Sequence, residues 1–270
     1  MAFVTENSPP ARVSKPTANQ PTVNKPAIAA AFSRAAGSYD IAADLQRETG
    51  EVLLALGGQH PGMSVLDAGC GTGHFSRLWR ERGKQVIALD LAAGMLDHAR
   101  QHKAADDYLL GDIENIPLSD QSVDICFSNL AVQWCTDLSV ALAELYRVTR
   151  PGGIILFSTL ADGSLDELGQ AWQQVDGKRH VNDFLSFQHI SAACQRYRHT
   201  LTPQIYQQQF PNVIALMRSL QGIGATHLHQ GREAGLNGRK RLMALQQAYS
   251  MQSGYYPLSY HLVYGVIYRD

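Results

Sequence analysis

Three glycines at alternate positions, Gly69, Gly71 and Gly73, constrain the fold of this chain more than any other feature. They follow the short apolar run 64–67, which is typical of a buried strand, and precede residues 75–82, whose apolar residues recur at helical spacing. Because glycine places no side chain between strand and helix, a ligand can lie against the backbone amides of such a turn. The order strand, glycine turn, helix predicts an α/β fold with a nucleotide-type site.

The spacing of these glycines differs from that of the dinucleotide-binding fingerprint. That fingerprint places its third glycine three residues after the second, and His74 occupies that position here. Hydride transfer from a nicotinamide cofactor is therefore disfavoured, and we interpret His74 as the start of a helix. On this motif alone, a glycine turn with a purely structural role stays open.

The strand-helix unit repeats along the chain. Helices are indicated at residues 27–56, with a break at Tyr39 and Asp40, and at 94–102 and 138–148. Residues 162–193 look mainly helical, and further helices are indicated at 212–220 and 239–250. Predicted strands fall at residues 64–67, 85–89, 108–110, 123–127, 154–157, 200–210 and 260–268.

We expect an α/β fold with a mostly parallel seven-stranded sheet and an antiparallel last strand. It would form a single domain over residues 27–270, in which 160–255 is a helical substrate-side cap.

Composition limits the partners and the compartment. Residues 1–26 are rich in Pro, Thr, Asn and Lys and nearly lack large apolar residues, which predicts a disordered tail and no signal peptide. The net charge of −1 builds in no broad attraction to nucleic acid or to an anionic membrane. The four cysteines show neither paired zinc-ligand spacing nor the density of a disulfide scaffold. We expect a cytoplasmic protein without a metal, a nucleic-acid partner or a membrane segment.

Three acidic residues each stand at the carboxyl end of a predicted strand: Asp67, Asp90 and Asp112. Because the carboxyl ends of parallel strands open onto the crevice where such sheets bind ligands, we expect the three carboxylates to converge there. Asp90 is suited to accept from both hydroxyls of a ribose and Asp112 from an exocyclic amine, although either residue alone is also typical of a turn. Leu91 and Met95 continue into a helix that can cover an adenine.

Five segments resemble, in order, the successive motifs of the Rossmann-like class I methyltransferases: VLDAGCGTG, ALDLAAGMLDHAR, GDIENIPL, NLAVQWC and ELYRVTRPGG. This resemblance implies S-adenosyl-L-methionine as the methyl donor. It assigns the methionine part of the donor to Asp67, Gly69, Gly71 and Gly73, the ribose to Asp90, the adenine to Asp112 and Ile113, and the floor of the site to Asn129 and Leu130.

A closer resemblance extends over nearly everything after the tail. The segments SNLAVQWC, TLADGSLDEL, MRSLQGIGATHLH and YPLSYHLVYGVI are similar to the malonyl-acyl-carrier-protein O-methyltransferase family of biotin synthesis. A related pattern occurs in trans-aconitate methyltransferase, which also methylates a carboxyl group. Thr72 stands where some relatives carry proline. The resemblance implies methylation of the free carboxylate of a malonyl thioester on acyl-carrier protein, which removes a charge so that fatty-acid elongation enzymes accept the product.

The implied chemistry requires no general base, because a malonyl carboxylate is ionised at neutral pH and is already a nucleophile. The protein must align the reacting atoms and exclude water. We name Tyr39, Gln133 and Trp134 as candidates for this positioning role, with ordinary core packing as the alternative for Trp134 and a helix-end anchor for Tyr39. A cationic or hydrogen-bonding partner must also meet the substrate carboxylate, and Arg34 is a candidate for the carboxylate of the donor itself. Each residue of the pool for the substrate carboxylate is, taken alone, more typical of a solvated helix charge. The pool is Arg218, His227, His229, Arg147 and Arg150.

Two other readings of the function stay open at this point. One is a carboxyl methyltransferase for a free small acid or for malonyl-coenzyme A, and the other is a donor-binding regulatory protein without turnover. The densest basic groups, Lys178-Arg179-His180 and Arg239-Lys240-Arg241, are candidates for docking an acidic carrier protein, although charged residues usually form solvated helix faces.

Overall fold

The computed structural model describes residues 23–222 and 238–270. Residues 1–22 of the predicted tail, and His227 and His229, lie outside this part of the chain. The strands, in chain order, are β1 Ser64–Ala68, β2 Gln85–Asp90, β3 Asp107–Leu110, β4 Val123–Asn129, β5 Thr149–Leu160, β6 Arg198–Phe210 and β7 Tyr256–Tyr268. They form one seven-stranded sheet in the order β3-β2-β1-β4-β5-β7-β6.

The strand directions confirm the predicted sheet. Strands β1 to β5 run parallel, with Asp67 opposite Ala88 on one side and Phe127 on the other. The last strand, β7, pairs antiparallel with both β5 and β6, so that Tyr268 faces Ile154 and Arg198. The carboxyl ends of β1, β2 and β4 therefore meet at one edge of the sheet.

Nine helices lie within the described residues: α1 Lys25–Ala35, α2 Asp44–Gly57, α3 His74–Glu81, α4 Ala93–Gln101, α5 Leu138–Val148, α6 Asp166–Asp176, α7 Phe187–Cys194, α8 Val213–Gly222 and α9 Gly238–Ala248. In the ranges 23–222 and 238–270, no helix is long and apolar enough to cross a membrane. The break predicted at Tyr39 is confirmed, because a short 3-10 turn, Tyr39–Ile41, separates α1 from α2. Helix α1 begins at Lys25, so the last two residues of the predicted tail belong to this helix, and the Asn24 side chain accepts from the Ala27 amide.

Helices cover both faces of the sheet, because successive residues of each strand point to opposite sides. Residues of α2, α3, α6, α8 and α9 join one apolar cluster, and residues of α5 and α7 join the other. On the first face, Trp79 is fully buried with its ring 5.9 Å from that of Phe127. The predicted cap region thus contributes helices to both faces and one strand, β6, to the sheet itself.

The largest boundary difference is at β5, which begins at Thr149 rather than at Ile154. The Pro151-Gly152-Gly153 sequence is typical of a turn. In the structure the Gly152 amide instead donates to the Arg269 carbonyl at 2.7 Å, and the Arg269 amide donates to the Gly153 carbonyl at 2.9 Å. These bonds to the residue that follows β7 keep the segment in the sheet, although Gly152 itself has a φ of +82°.

Candidate active site

The three glycines of the turn between β1 and α3 all have positive φ, at +82°, +56° and +85°. A Cβ on Gly69 would lie 2.3 Å from the Cβ of Ala131, and one on Gly73 would lie 2.4 Å from the Cβ of Ala104. A Cβ on Gly71 would meet, among the described atoms, only a ring carbon of Tyr39 at 4.0 Å. Gly69 and Gly73 thus permit close packing of the protein, whereas the backbone of Gly71 is open to a ligand.

Asp90 ends β2 beside this turn. Its carboxylate accepts a hydrogen bond from the Gly71 amide at 2.8 Å and another from the Ala92 amide at 2.8 Å. Burial raises the pKa of this carboxyl above its usual range, and the backbone donors oppose that rise. Since each carboxylate oxygen has two acceptor sites, both oxygens can still accept from ribose hydroxyls.

Asp67 lies beneath the turn with 2% of its surface exposed. One carboxylate oxygen accepts from the Ser76 hydroxyl at 2.6 Å. Burial raises the pKa of Asp67 to about 7, against the effect of the Ser76 hydrogen bond, and the charge of Asp90 adds to the rise. Two acidic groups of elevated pKa therefore stand side by side, an arrangement found often at functional sites.

The N-terminal segment lies beside the glycine turn and the start of α4. The Phe32 ring is 6.4 Å from the ring of Tyr39 and packs edge-on against Trp134 at 5.6 Å. The Gly94 amide, at the start of α4, donates to the Ser33 hydroxyl at 3.2 Å. Burial, followed by the charge of Asp90, raises the pKa of Tyr39, so its hydroxyl stays protonated. The structure thus brings two of the predicted positioning residues, Tyr39 and Trp134, together through Phe32, and we call these three rings the lid.

Phe32 was not among the site residues predicted from the sequence. It is the one aromatic residue in an α1 otherwise made mainly of small residues, and that contrast was the available signal. Met95 is 1% exposed and packs with Phe32 and Tyr39, so the start of α4 contacts the lid. Leu91, just before α4, is half-buried.

Asp112 follows β3 at the same edge of the sheet and forms an ion pair with Lys25 of α1, as does Glu114. Between these acids, Ile113 is 8% exposed and approaches the position that a Gly69 Cβ would occupy, at 3.7 Å. Ile113 therefore lies against the glycine turn, and Asp112 precedes it in the chain. The contact with Lys25 was not predicted, because this residue fell within the presumed disordered tail.

Asn129 and Leu130 stand at the end of β4, and the carboxamide of Asn129 is engaged by the protein itself. Its Nδ2 donates to the Gln46 carbonyl at 2.8 Å, and its Oδ1 accepts from the Ser158 hydroxyl at 2.7 Å. Leu130 has a φ of +49°, and its amide donates to the Ser158 hydroxyl at 2.9 Å. These bonds join α2, β4 and β5 beneath the crevice.

Gln133 borders a small cavity of about 30 Å³ beyond the end of β4. Its Nε2 donates to the Leu130 carbonyl at 2.9 Å, while its Oε1 is buried without a partner among the described residues. The cavity is also lined by Thr159 at the end of β5 and by Asp183 and Phe184 of the loop after α6. A buried acceptor without a partner is costly, so this oxygen is available to a donor group of a ligand.

The predicted cationic residues are dispersed. Arg34 is exposed near the end of α1, and Arg218 is exposed on α8. Arg147 donates to Asp120 at 2.8 Å, and Arg150 donates to Asp124 at 2.8 Å. Arg147 and Arg150 are thus wrong as candidates for a substrate carboxylate, because they are paired with acids away from the crevice.

His227 lies outside the described residues. Within the described ranges, no group of three His, Cys, Asp or Glu side chains is placed to hold a metal ion.

Known proteins resemble the chain at three levels. The methyltransferase domain family matches residues 66–157, which include the glycine turn and the ends of β2 and β4. Among solved structures, a putative methyltransferase from Bacillus halodurans has a TM-score of 0.58 at 16% identity, covering 82% of this chain and 98% of that one. A Bacillus subtilis protein has a TM-score of 0.58 at 18% identity, covering 83% of this chain and 99% of its own. These likenesses concern the fold.

The sequence relatives are much closer. A malonyl-[acyl-carrier protein] O-methyltransferase of Yersinia pestis is 76% identical over 270 residues, covering all of both chains. One of Serratia marcescens is 68% identical over 254 residues, covering 94% of this chain and all of the relative. The sequence identity to these relatives therefore extends beyond the methyltransferase domain match, residues 66–157, into the residues that follow β5. The chain belongs to the malonyl-[acyl-carrier protein] O-methyltransferase family.

Proposed function

We propose that this protein transfers a methyl group from S-adenosyl-L-methionine to the free carboxylate of malonyl-acyl-carrier protein, giving the methyl ester that starts biotin synthesis. The observation that carries the proposal is the 76% identity over the whole chain to a relative of that name. The crevice at the carboxyl ends of β1, β2 and β4 supports it, because that edge of a parallel sheet is where such folds bind nucleotide-like ligands.

The residues of the crevice fit the donor. Gly71 leaves its backbone open, Asp90 offers carboxylate oxygens for the ribose hydroxyls, and Asp112 offers an acceptor for the adenine amine. The other residues proposed to line the donor are Arg34, Asp67, Gly69, Gly73, Leu91, Met95, Ile113, Asn129 and Leu130. When bound, S-adenosyl-L-methionine supplies an electrophilic methyl group on a positively charged sulfonium.

The charges at the crevice favour binding of the positively charged donor and disfavour binding of the malonyl carboxylate, which accepts the methyl group, in the same pocket. Asp90 and, when it is ionised, Asp67 place negative charge beside and beneath the turn, and opposite charges attract strongly where water is scarce. The same charges repel a substrate carboxylate from the donor pocket. We infer that the malonyl group enters on the other side, where Gln133 and Trp134 follow the end of β4.

No general base is assigned, because the substrate carboxylate is itself the nucleophile at neutral pH. The chain's own residues position groups and exclude water. The rings of Phe32, Tyr39 and Trp134 form an apolar cover, and the protonated Tyr39 hydroxyl is a hydrogen-bond donor. The loop after α6 would complete the substrate side, as part of the proposed cap over residues 160–255.

The test is mass spectrometry of malonyl-acyl-carrier protein, malonyl-coenzyme A and free malonate after incubation with enzyme and donor. We expect a gain of one methyl group on the carrier-bound malonate, and none when the carrier bears an acetyl group that lacks the free carboxylate. Methylation of malonate alone would indicate a small-acid enzyme. Donor binding without any methylated product would indicate a regulatory protein.

A further inference from the structure

Two basic segments that are far apart in the sequence meet in the structure. The Arg241 guanidinium donates to Asp176 at 2.6 Å, and His180 Nε2 lies 2.8 Å from the same oxygen. The Trp172 ring packs against both, with the guanidinium carbon 5.3 Å and the His180 ring 5.0 Å from its centroid. The end of α6, the loop that follows and the start of α9 thus form one surface. We call it the α6–α9 corner, comprising residues 172, 176–180 and 240–243.

The α6–α9 corner carries an excess of positive charge. Arg179 pairs with Asp166 at 2.5 Å, and Arg241 pairs with Asp176. Lys178 and Lys240 are exposed and form no ion pair within residues 23–222 and 238–270. Because both pairs are partly exposed, water screens them and the surplus lysine charges dominate the field outside the corner.

An apolar side chain accompanies these charges. Met243 is 58% exposed on α9, three residues after Lys240, so both lie on the same side of the helix. Methionine adapts its shape to a partner more readily than branched side chains do. A flexible apolar contact bordered by lysines suits a partner with an acidic surface.

The loop after α6 connects this corner with the active-site crevice. His180 belongs to the corner, whereas Asp183, Phe184 and Leu185 line the cavity beside Gln133. Since an extended chain advances at most about 3.6 Å per residue, His180 and Phe184 are no more than about 14 Å apart. A partner on the corner can therefore reach the crevice through a flexible arm. The negative charge of Asp183 at the crevice end disfavours an acidic body there and leaves the corner as the favoured contact.

We propose that the α6–α9 corner is the docking surface for the acidic body of the acyl-carrier protein, and that the acyl arm passes along residues 181–185 to Gln133. This inference rests on the proposed function. Arg241 is excluded as a probe, although its sequence cluster suggested it, because its guanidinium holds α9 to α6 through Asp176.

The experiment reverses the charges of Lys178 and Lys240 in the double variant Lys178→Glu/Lys240→Glu. We expect kcat/KM for malonyl-acyl-carrier protein to fall about tenfold at an ionic strength of about 0.01 M, because complementary charge speeds encounter. The deficit should shrink at about 0.15 M, where the Debye length is about 8 Å. Malonyl-coenzyme A lacks the acidic protein body that would dock on the corner, so its kcat/KM should change less than about twofold.

The matched control is Arg82→Glu/Lys103→Glu, which makes the same change in net charge. Both residues are exposed and lie next to the amino ends of β2 and β3, away from the crevice. An equal loss in the control would show that overall charge, and not the corner, governs encounter. An equal loss for both substrates, or no loss, would also overturn the proposal.

A second measurement is independent of methyl transfer. Titration of carrier protein that bears no malonyl group should show weaker binding to the lysine-reversed variant than to the wild type and the control. If wild-type enzyme methylates no carrier-bound malonate, the proposed function fails. If it does, but this titration does not separate the variants, only the docking surface fails. Circular dichroism and donor binding establish that the variants are folded.

Discussion

The Asp90 carboxylate accepts a hydrogen bond from the Gly71 amide at 2.8 Å, across 19 residues of sequence. This bond joins the end of β2 to the turn after β1, and the Ala92 amide donates to the other carboxylate oxygen. Asp90 therefore shapes the glycine turn before any ligand arrives. Its proposed role toward a ribose depends on a side chain whose position is already set.

We expect Asp90→Ala to weaken donor binding by about 1–3 kcal/mol, because ribose hydroxyls would lose their acceptors in a partly buried site. The melting temperature should also fall, since the Gly71 and Ala92 amides lose charged partners. Isothermal titration and thermal denaturation measure the two effects. Asp90→Asn is the control, because it keeps one acceptor oxygen and should lie between Ala and wild type. An unchanged dissociation constant in the Ala variant would remove Asp90 from the donor site.

The glycines of the turn should respond differently to the same substitution. Gly73→Ala forces a Cβ to 2.4 Å from Ala104 at a φ of +85°, so we expect a loss of stability of about 3 kcal/mol. Gly71→Ala has space at its Cβ and bears mainly the cost of the left-handed conformation, about 1–2 kcal/mol. It should nevertheless weaken donor binding strongly, because the added methyl group occupies the open backbone. Donor affinity that survives in Gly71→Ala would contradict this placement.

The raised pKa of Asp67 predicts that the stability of the protein depends on pH. Its pKa is about 7 in the folded protein and about 3.9 in an unfolded chain, so the folded state binds the extra proton between these values. The free energy of unfolding of the donor-free protein should therefore fall as pH rises from about 5 to 7, by about 2 kcal/mol. Urea denaturation at both pH values measures this loss. Asp67→Asn, which still accepts from Ser76, should abolish it, and an identical pH dependence in both proteins would refute the assignment.

The same group should make donor binding depend on pH. Because the sulfonium is positive, ionised Asp67 favours it, so donor affinity in the wild type should rise between about pH 6 and 8. Proton release on binding at pH 7, measured by titration in buffers of different ionisation enthalpy, is the matching observation. In Asp67→Asn both effects should be small.

Asp112 has two possible roles, because it can accept from the adenine amine and it holds α1 through its ion pair with Lys25. Variants of the two residues distinguish these roles. We expect Asp112→Asn to weaken donor binding by about 1 kcal/mol, because a charged acceptor for the adenine amine becomes neutral. Lys25→Gln removes the same ion pair and leaves Asp112 in place, so its donor affinity should stay near that of wild type. Equal losses in the two variants would mean that Asp112 acts only by holding α1.

The sequence alone was sufficient for the sheet and for the edge at which its strand-end carboxylates stand. The patterns that predict a buried strand, a helix or a glycine turn depend on neighbours within a few residues. The segment from β1 to α3 was therefore predictable from its own amino-acid sequence. The acidic residues Asp67, Asp90 and Asp112 also follow from this local pattern, since each stands at a strand end. The motifs after β5 then pointed to the family that the relatives confirm.

Contacts between distant segments were decided only by the tertiary structure. Lys25 pairs with Asp112 across 87 residues, and Asp176 joins His180 to Arg241 across 61 residues. No local pattern encodes these pairs, because they arise when helices dock on a finished sheet. The same cause assigns Arg147 and Arg150 to structural ion pairs and brings Phe32 between Tyr39 and Trp134. Local physics therefore determined the site's backbone, and packing determined which side chains surround it.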